Sequence, residues 1–118
     1  MHPDTEALFR RQRDAFAAEP YPAAAARIAL LDRLEALVKD HAAEWAEAIS
    51  RDFGGRSRHE TQLLEVFPSL EAIRHARRHL RRWMKPRRRA TSLWFLPGRS
   101  SVVPQPLGVA GIVVPWNY

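Results

Sequence analysis

The feature that most constrains the fold of this chain is an apolar run close to its C-terminal end, "GVAGIVVP", residues 108–115. Apolar and small residues follow one another here without the alternation typical of a strand that has one face in water. A strand that is apolar on both faces is typical of the centre of a parallel sheet with helices on each side. The run therefore predicts a core strand of an α/β fold.

Parallel neighbours of such a strand need crossover connections of about a dozen residues or more, which usually contain a helix. After Val114 only "PWNY", residues 115–118, remains, and this is too short for a crossover. We therefore expect the neighbouring strands to lie outside these 118 residues, with the chain as an N-terminal piece of a larger protein. Without those neighbours, the run Val109–Val114 is expected to promote aggregation.

The bulk composition fits one ordinary globular domain, since 46% of the 118 residues are hydrophobic and 27% are charged. The absence of cysteine excludes a disulfide, a thiolate metal site and a thiol nucleophile within these residues. The N-terminal residues are polar where a signal peptide would be apolar, and no stretch approaches the roughly 20 apolar residues of a membrane span. We expect a cytoplasmic protein.

Three segments upstream of Pro86 have the apolar spacing of amphipathic helices. Their predicted bounds are Asp4 to about Glu19, Ala23 to Phe53, and Ser57 to about Trp83. The middle helix is expected to bury one continuous face, formed by Ile28, Leu31, Leu34, Val38, Ala42, Trp45 and Ile49.

Residues with special helix-terminal or helix-breaking properties mark the ends of these helices. We expect Asp4 to cap the first helix and Gly54 and Gly55 to end the second. "SRHE", residues 57–60, has the spacing of a capping box at the start of the third helix. Pro68 is expected to kink or restart that helix, because proline lacks the amide hydrogen that continues the hydrogen-bond ladder.

Two runs after Pro86 are rich in β-branched and aromatic residues, which favour strands. They are "TSLWFL", residues 91–96, and "RSSVVPQ", residues 99–105, with "PG" between them. The pattern predicts two strands around a turn, forming a hairpin or an arm. Pro104 and Pro106 each remove a backbone donor, so the second strand should be short or at an edge.

The net charge of +6 is concentrated in "RHARRHLRRWMKPRRR", residues 74–89. On a helix, five of its arginines fall on one arc, opposite Ile73, Leu80 and Met84. Such a helix could bind a nucleic-acid backbone or an anionic membrane. The alternative is a solvated arginine face on a packed structural helix, with the arginine stems lying on apolar surface.

His75 and His79 lie one helical turn apart and could in principle bind a metal ion from one helix face. No third ligand has matching spacing, and the surrounding arginines repel a divalent cation, so we predict no metal site. The glycines of "PLGVAG" precede the apolar run, whereas a dinucleotide-binding glycine loop follows its strand. These glycines are therefore expected to serve a turn.

Asn117 follows the predicted core strand at its carboxyl end, where open α/β sheets place their ligands. Its side-chain amide could donate a hydrogen bond to an oxyanion that develops during a reaction. From spacing alone, a turn residue or a helix N-cap is the more usual role for an asparagine at this position.

The ending "PLGVAGIVVPWNY" closely resembles the segment of the aldehyde dehydrogenase superfamily in which a strand of the nucleotide-binding domain leads into a Pro-Trp-Asn motif. The upstream "DFGGRSRHETQLLEVFPSLEAIRHARRHLRRWMKPRR" resembles the N-terminal helical region of the coniferyl aldehyde dehydrogenase branch. The resemblance covers the chain from about Phe16 onward, and the Pro-Trp-Asn motif is its most specific part.

This resemblance implies an α/β parent protein with a Rossmann-like nucleotide-binding domain. Residues 1–86 would form a helical layer of that domain, residues 87–106 a two-stranded arm of the oligomerisation type, and residues 107–118 the first parallel strand, which is truncated. The 118-residue chain itself is expected to be mostly helical. The resemblance also implies a homodimer or a higher homo-oligomer as the state of the parent.

The activity implied by the resemblance is NAD(P)-dependent oxidation of a small-molecule aldehyde to a carboxylic acid, with an aromatic coniferyl-like aldehyde as one candidate. In the family, a cysteine thiolate attacks the aldehyde, hydride passes to the nicotinamide, and a glutamate activates water. Both residues lie downstream of the Pro-Trp-Asn motif in the family. The 118 residues alone are therefore expected to be inactive.

By match to the motif, Asn117 takes the place of the asparagine whose amide helps to hold the oxyanion. The residues that take the places of those lining the NAD or NADP site are Val113, Val114, Pro115 and Trp116. Neither a nucleic acid nor a membrane is expected as a partner.

Two other interpretations remain open at this stage. The chain could be a small basic module that binds nucleic acid or an anionic membrane through Arg74–Arg89. It could also be a non-catalytic piece that docks onto a complete dehydrogenase subunit through its arm. The residues do not distinguish NAD from NADP, nor do they select one aldehyde.

Overall fold

The computed structural model describes residues 3–114 and divides the chain into two compact units. One unit comprises Ala23–Lys85 and the other combines Met1–Pro22 with Pro86–Tyr118. The described part is mostly helical, with one two-stranded antiparallel sheet. The mostly helical character expected of this chain is confirmed.

Helix α1 spans Pro3–Ala18 and is followed by the break that Pro20 and Pro22 predict. Asp4 does not cap this helix as expected, because the helix already includes Pro3, which places Asp4 in the first turn. The fixed φ of proline suits a first helical position, where its missing amide hydrogen costs no hydrogen bond. The negative charge of Asp4 still interacts favourably with the positive end of the helix dipole.

The predicted long helix from Ala23 to Phe53 is two helices, which corrects the sequence-based expectation. Helix α2 spans Ala24–Asp40 and α3 spans Ala42–Asp52, with His41 between them at φ −102° and ψ 5°. Neither glycine nor proline marks this break, and the apolar spacing continues across it. Spacing alone could therefore not reveal it.

The C-terminus of α3 ends at the two predicted glycines in a Schellman motif. Gly55 N donates to Ser50 O at 2.7 Å and Gly54 N donates to Arg51 O at 3.3 Å. Both glycines have positive φ, 70° for Gly54 and 116° for Gly55, which residues with a β-carbon rarely adopt. The predicted glycine stop is confirmed.

The third predicted helix consists of three consecutive segments. Helix α4 spans Arg58–Thr61, a π-helical segment spans Gln62–Val66, and α5 spans Phe67–Trp83. Ser57 is the N-cap residue of α4, but its side chain makes no capping hydrogen bond, so the capping box is not formed. Glu60 instead pairs with Arg56, at 3.4 Å between Oε1 and Nε.

The restart predicted at Pro68 takes the form of the π-helical segment that precedes it. Phe67 N donates to Gln62 O, one residue further back than in an α-helix, and Pro68 then occupies the first turn of α5. Ser69 Oγ donates to Glu65 O at 2.6 Å. Glu65 O thus accepts a side-chain hydrogen bond in the turn that leads into α5.

The core of the Ala23–Lys85 unit forms where α2 and α5 pack against each other. Val38, Val66 and Ile73 are buried, with Leu31, Ala42 and Leu70 packed around them. The predicted inner face is correct at Leu31 and Val38 but wrong at Leu34 and Trp45, which are exposed. Glu35 and Ala46 are buried in their place.

The predicted hairpin is present, but its first strand is displaced. Strand β1 spans Arg87–Arg89 and pairs antiparallel with β2, Ser100–Val102. "TSLWFL" lies in the connecting loop, where Leu93–Phe95 form a 3-10 turn. This run of strand-favouring residues forms a loop, because the ladder pairs Arg89 with Ser100 and leaves residues 90–99 outside it.

Candidate functional site

The site predicted from the sequence falls at the end of the described residues. Val113 and Val114 lie in a stretch without strand structure, and both side chains are exposed, Val113 almost completely at 98%. Pro115, Trp116 and Asn117 lie outside the described residues. The roles assigned to these five residues remain predictions.

The core strand predicted within residues 107–118 is not formed in its described part, residues 107–114. A strand requires a partner whose backbone groups complete its ladder, and β1 and β2 pair only with each other in the part of the chain that the structure describes. The predicted turn at Gly108 is supported by its φ of 111°. The side chain of Phe16 lies close enough that a β-carbon at Gly108 would approach its ring to 3.7 Å.

The strongest electrostatic feature of the Ala23–Lys85 unit is a carboxylate between α2 and α5. Glu35 is only 6% exposed, and its Oε1 accepts from Arg74 Nε at 3.0 Å and pairs with Lys39 Nζ at 2.8 Å. Its Oε2 lies 3.3 Å from Arg77 Nη1. Hydrogen bonds from Lys39 and Arg74 lower the pKa of Glu35 to about 2, which outweighs the opposing effect of desolvation.

Two further acidic groups complete this network around the arginines of α5. Arg74 Nη1 donates to Glu71 Oε1 at 2.9 Å, and Arg77 Nη1 donates to Asp32 Oδ1 at 2.8 Å. Hydrogen bonds to Glu71 and Glu35 raise the pKa of Arg74, and the hydrogen bond to Asp32 raises that of Arg77. The two arginines therefore join helices within the chain.

The basic run is thus divided between two roles. Arg74 and Arg77 serve the helix contact, as the structural interpretation expects, whereas Arg78, Arg81 and Arg82 are exposed. Within residues 3–114, no acidic side chain forms an ion pair with any of these three. Only part of the predicted basic arc is available to an external partner.

His75 and His79 stack on α5 with ring centroids 4.1 Å apart, and Trp83 continues the row. His79 Nδ1 hydrogen-bonds to His75 O at 2.8 Å. No cluster of three or more potential metal ligands occurs among the described residues. The two histidines belong to an aromatic row along one helix.

Sequence reasoning missed Glu35 and Thr61, the two polar residues that are buried in the described part of the chain. Glu35 could have been found, because it lies three residues before Val38 and four after Leu31, on the apolar face of α2. Thr61 gives no such signal. It lies at the end of α4, directly before the π-helical segment.

Comparison with known proteins identifies the family. The model of the aldehyde dehydrogenase family matches residues 2–118, and the chain therefore belongs to that family. The resemblance of the sequence to this family is confirmed.

Individual relatives point to one branch of the family. The chain is 50% identical to a probable coniferyl aldehyde dehydrogenase of Pseudomonas aeruginosa over 96% of its length, and 39% identical to one of Caulobacter vibrioides over 94%. It is 37% identical to a coniferyl aldehyde dehydrogenase of a Pseudomonas species over 78% of its length. The chain spans 24% of each of the first two relatives and 19% of the third.

No solved structure gives a significant match to the chain. Within the described residues, no helix is both long enough and apolar enough to cross a membrane.

Proposed function

We propose that this chain is the N-terminal part of an aldehyde dehydrogenase that oxidises an aldehyde to a carboxylic acid with NAD or NADP. The observation that carries the proposal is the family match, which extends through the Pro-Trp-Asn ending. The relatives named as coniferyl aldehyde dehydrogenases favour an aromatic aldehyde as substrate. The proposed setting is the cytoplasm.

In this proposal, Val109–Val114 pair with strands supplied by the rest of a longer chain. The structure supports this assignment through exposure, because Ile112 and Val113 have 84% and 98% of their surface in contact with solvent. Exposed apolar residues in a continuous run mark a surface that another element covers. The α/β parent with a Rossmann-like nucleotide-binding domain is part of the proposal, as are the three regions 1–86, 87–106 and 107–118.

The nicotinamide cofactor would supply a hydride acceptor. Val113, Val114, Pro115 and Trp116 would contact it, and the exposed side chains of the two valines are compatible with that role. Asn117 would donate a hydrogen bond from its side-chain amide to the oxyanion formed on the substrate. An asparagine amide is a neutral donor, so it stabilises developing negative charge without needing to change its protonation state.

The 118 residues contain no cysteine, so the covalent step of the family cannot take place within them. We therefore propose that the chain is inactive without the remainder of the enzyme. The antiparallel pair β1 and β2 would contribute strand edges to an oligomeric assembly, a dimer or a larger homo-oligomer.

The proposal is tested on the longer protein encoded by the gene, with coniferyl aldehyde and a short aliphatic aldehyde as substrates. Cofactor reduction should be observed with the aromatic aldehyde. The variant Asn117→Ala should lower kcat by about 10²–10³-fold with little change in the cofactor KM. Gln105→Ala, which removes an exposed amide between the hairpin and the core strand, is the matched control and should leave kcat unchanged.

Two results would contradict the proposal. One is an open reading frame that continues without a cysteine and a glutamate in family context. The other is a longer protein in which Asn117→Ala and Gln105→Ala have the same activity as the wild type.

A further inference from the structure

Phe16 is the partly buried apolar residue of helix α1. From Asp4 to Ala18, every other apolar side chain of this helix is exposed, including that of Phe9. A helix that covers a single large apolar side chain packs through that side chain. Phe16 is therefore the apolar contact of α1 within the part of the chain that the structure describes.

The group that lies against Phe16 is the turn at Gly108, near the other end of the chain. A β-carbon built on Gly108 would lie 3.7 Å from Cε1 and 3.8 Å from Cδ1 of the Phe16 ring. The ring thus lies on the side of this glycine from which any other residue would extend its side chain. Burial agrees with the contact, because Pro106, Gly108 and Val109 are half-buried whereas Leu107 is exposed.

The turn at Gly108 determines the direction in which the chain enters the apolar run 109–114. Gly108 has a φ of 111°, in the region that residues with a β-carbon rarely adopt. Pro106, two residues earlier, has its φ fixed by the proline ring. Within the described residues, the run that follows has no strand partner, so its course depends on this turn.

Glycine is the residue with the greatest backbone freedom, so a turn made by glycine needs a neighbouring group to restrict it. The ring of Phe16 is suited to this task, because a phenylalanine side chain has only two torsions and loses little conformational freedom when it packs. The contact therefore joins a flexible backbone position to a rigid side chain on a helix.

We propose that Phe16 is a positioning residue for the candidate cofactor and oxyanion site. Its ring packs on Gly108 and holds the turn there. The turn directs the chain that carries Val113, Val114 and Asn117. This inference rests on the proposed dehydrogenase function, which assigns those three residues to the site, and it adds a residue from the first helix of the chain.

The effect of such a residue on the rate is large when the site is precise. A displacement of about 1 Å in a reacting geometry can lower the rate about 10²-fold, even when its cause lies far from the chemistry. Site residues keep their geometry only when the packing around them locks it. A role limited to the stability of α1 would instead lower the melting temperature and leave kcat unchanged.

The contact itself is tested by nuclear magnetic resonance on the full 118-residue chain with isotope-labelled glycine. The chain contains five glycines, so few backbone signals have to be assigned. An aromatic ring shifts the signals of groups close to it. Phe16→Leu, which keeps an apolar side chain but removes the ring, should therefore move the signal of Gly108. The signals of Gly54 and Gly55, which belong to the other unit, should stay in place.

The positioning role is tested by the kinetics of the longer protein encoded by the gene. Phe16→Ala should lower kcat about tenfold or more, and Phe16→Leu should recover most of that loss because it restores an apolar contact to the turn. Phe9→Ala is the matched control, since it removes the same side chain from an exposed position of the same helix, and it should leave kcat unchanged. Thermal unfolding of each variant measures its stability separately.

A double variant separates positioning from an independent contribution to the rate. If Phe16 acts through the position of Asn117, Phe16→Ala/Asn117→Ala should have nearly the kcat of Asn117→Ala alone. Losses of kcat that multiply in the double variant would show that the two residues act independently, and they would overturn the inference.

Other results overturn the inference in ways that differ from a failure of the proposed function. The inference alone fails if Asn117→Ala lowers kcat while Phe16→Ala has the kcat of the wild type or of Phe9→Ala. It also fails if Phe16→Leu leaves the signal of Gly108 in place. If Asn117→Ala itself leaves kcat unchanged, the proposed role of Asn117 fails, and the inference fails with it.

Discussion

Glu35 Oε1 accepts a hydrogen bond from Arg74 Nε at 3.0 Å, across 39 positions of sequence. This bond links α2 to α5 beside the core residue Ile73. Three cationic side chains surround the carboxylate of Glu35, so its charge is fully compensated where water is largely excluded. The contact fixes which faces of the two helices meet.

Replacing Glu35 with glutamine should lower the melting temperature of the chain by several degrees. The change leaves Arg74 and Arg77 without the carboxylate that both contact, while the size of the side chain stays the same. Thermal unfolding followed by circular dichroism measures the effect. Glu44→Gln, which removes an exposed carboxylate paired with His41, should have little effect; an equal loss in both variants would show that Glu35 has no special role.

The stability of the chain should depend on pH through Glu35. Its pKa is lowered from 4.5 to about 2 in the folded chain, so the unfolded state binds the proton first as the pH falls. The stabilisation by Glu35 is therefore complete above about pH 4.5 and is lost progressively towards pH 2. Urea unfolding at several pH values should show a difference between wild type and Glu35→Gln that shrinks in this range; a constant difference would contradict the assignment.

Thr61→Val should raise the free energy of unfolding by about 1 kcal/mol, since it removes a buried hydroxyl that has no partner. Thr61 is completely buried, and its Oγ1 makes no hydrogen bond within residues 3–114. Valine has nearly the same shape, so the packing is retained. Thr91→Val is the matched control and should instead destabilise the hairpin, because Thr91 Oγ1 forms hydrogen bonds with Ser100. Urea denaturation of both variants measures the two effects. A lower free energy of unfolding for Thr61→Val than for the wild type would refute the assignment.

Ile112→Lys should increase the solubility of the 118-residue chain. Ile112 is 84% exposed within a run of apolar residues that lacks a strand partner in the described part of the chain. A lysine interrupts edge-to-edge association of such runs. Light scattering against concentration measures the effect. Leu30→Lys, at an exposed apolar position on a helix, is the control. Equal gains in both variants would show that any added surface charge raises solubility, wherever it is placed.

The sequence predicts those helix ends and restarts that the backbone properties of a single residue determine. The glycine stop at Gly54 and the restart at Pro68 follow from the backbone properties of single residues, and both are present. The break at His41 was not predictable, because the periodicity of apolar residues continues through it. The position of β1 also escaped prediction, because its three arginines are neither β-branched nor aromatic and therefore give no strand signal.

The spacing of residues along the sequence does not reveal which groups contact the residues of the predicted cofactor and oxyanion site. The role of Asn117 is predicted from its motif alone and stays a prediction, and Val113 and Val114 are exposed in the part of the chain that the structure describes. Glu35 shows the reverse case, because its position on α2 and its spacing to Lys39, four residues on, are plain in the sequence. Arg74 and Arg77 become its partners only when α5 packs against α2.

The π-helical segment Gln62–Val66 holds one more residue in its turn than an α-helix would. Each residue advances a helix by about 100°, so a deletion within this segment would rotate everything downstream by that angle. Ile73 would then leave the core, and Arg74 would lose Glu35. The rotational phase of α5, and with it the match between two distant helices, is therefore set by a single inserted residue.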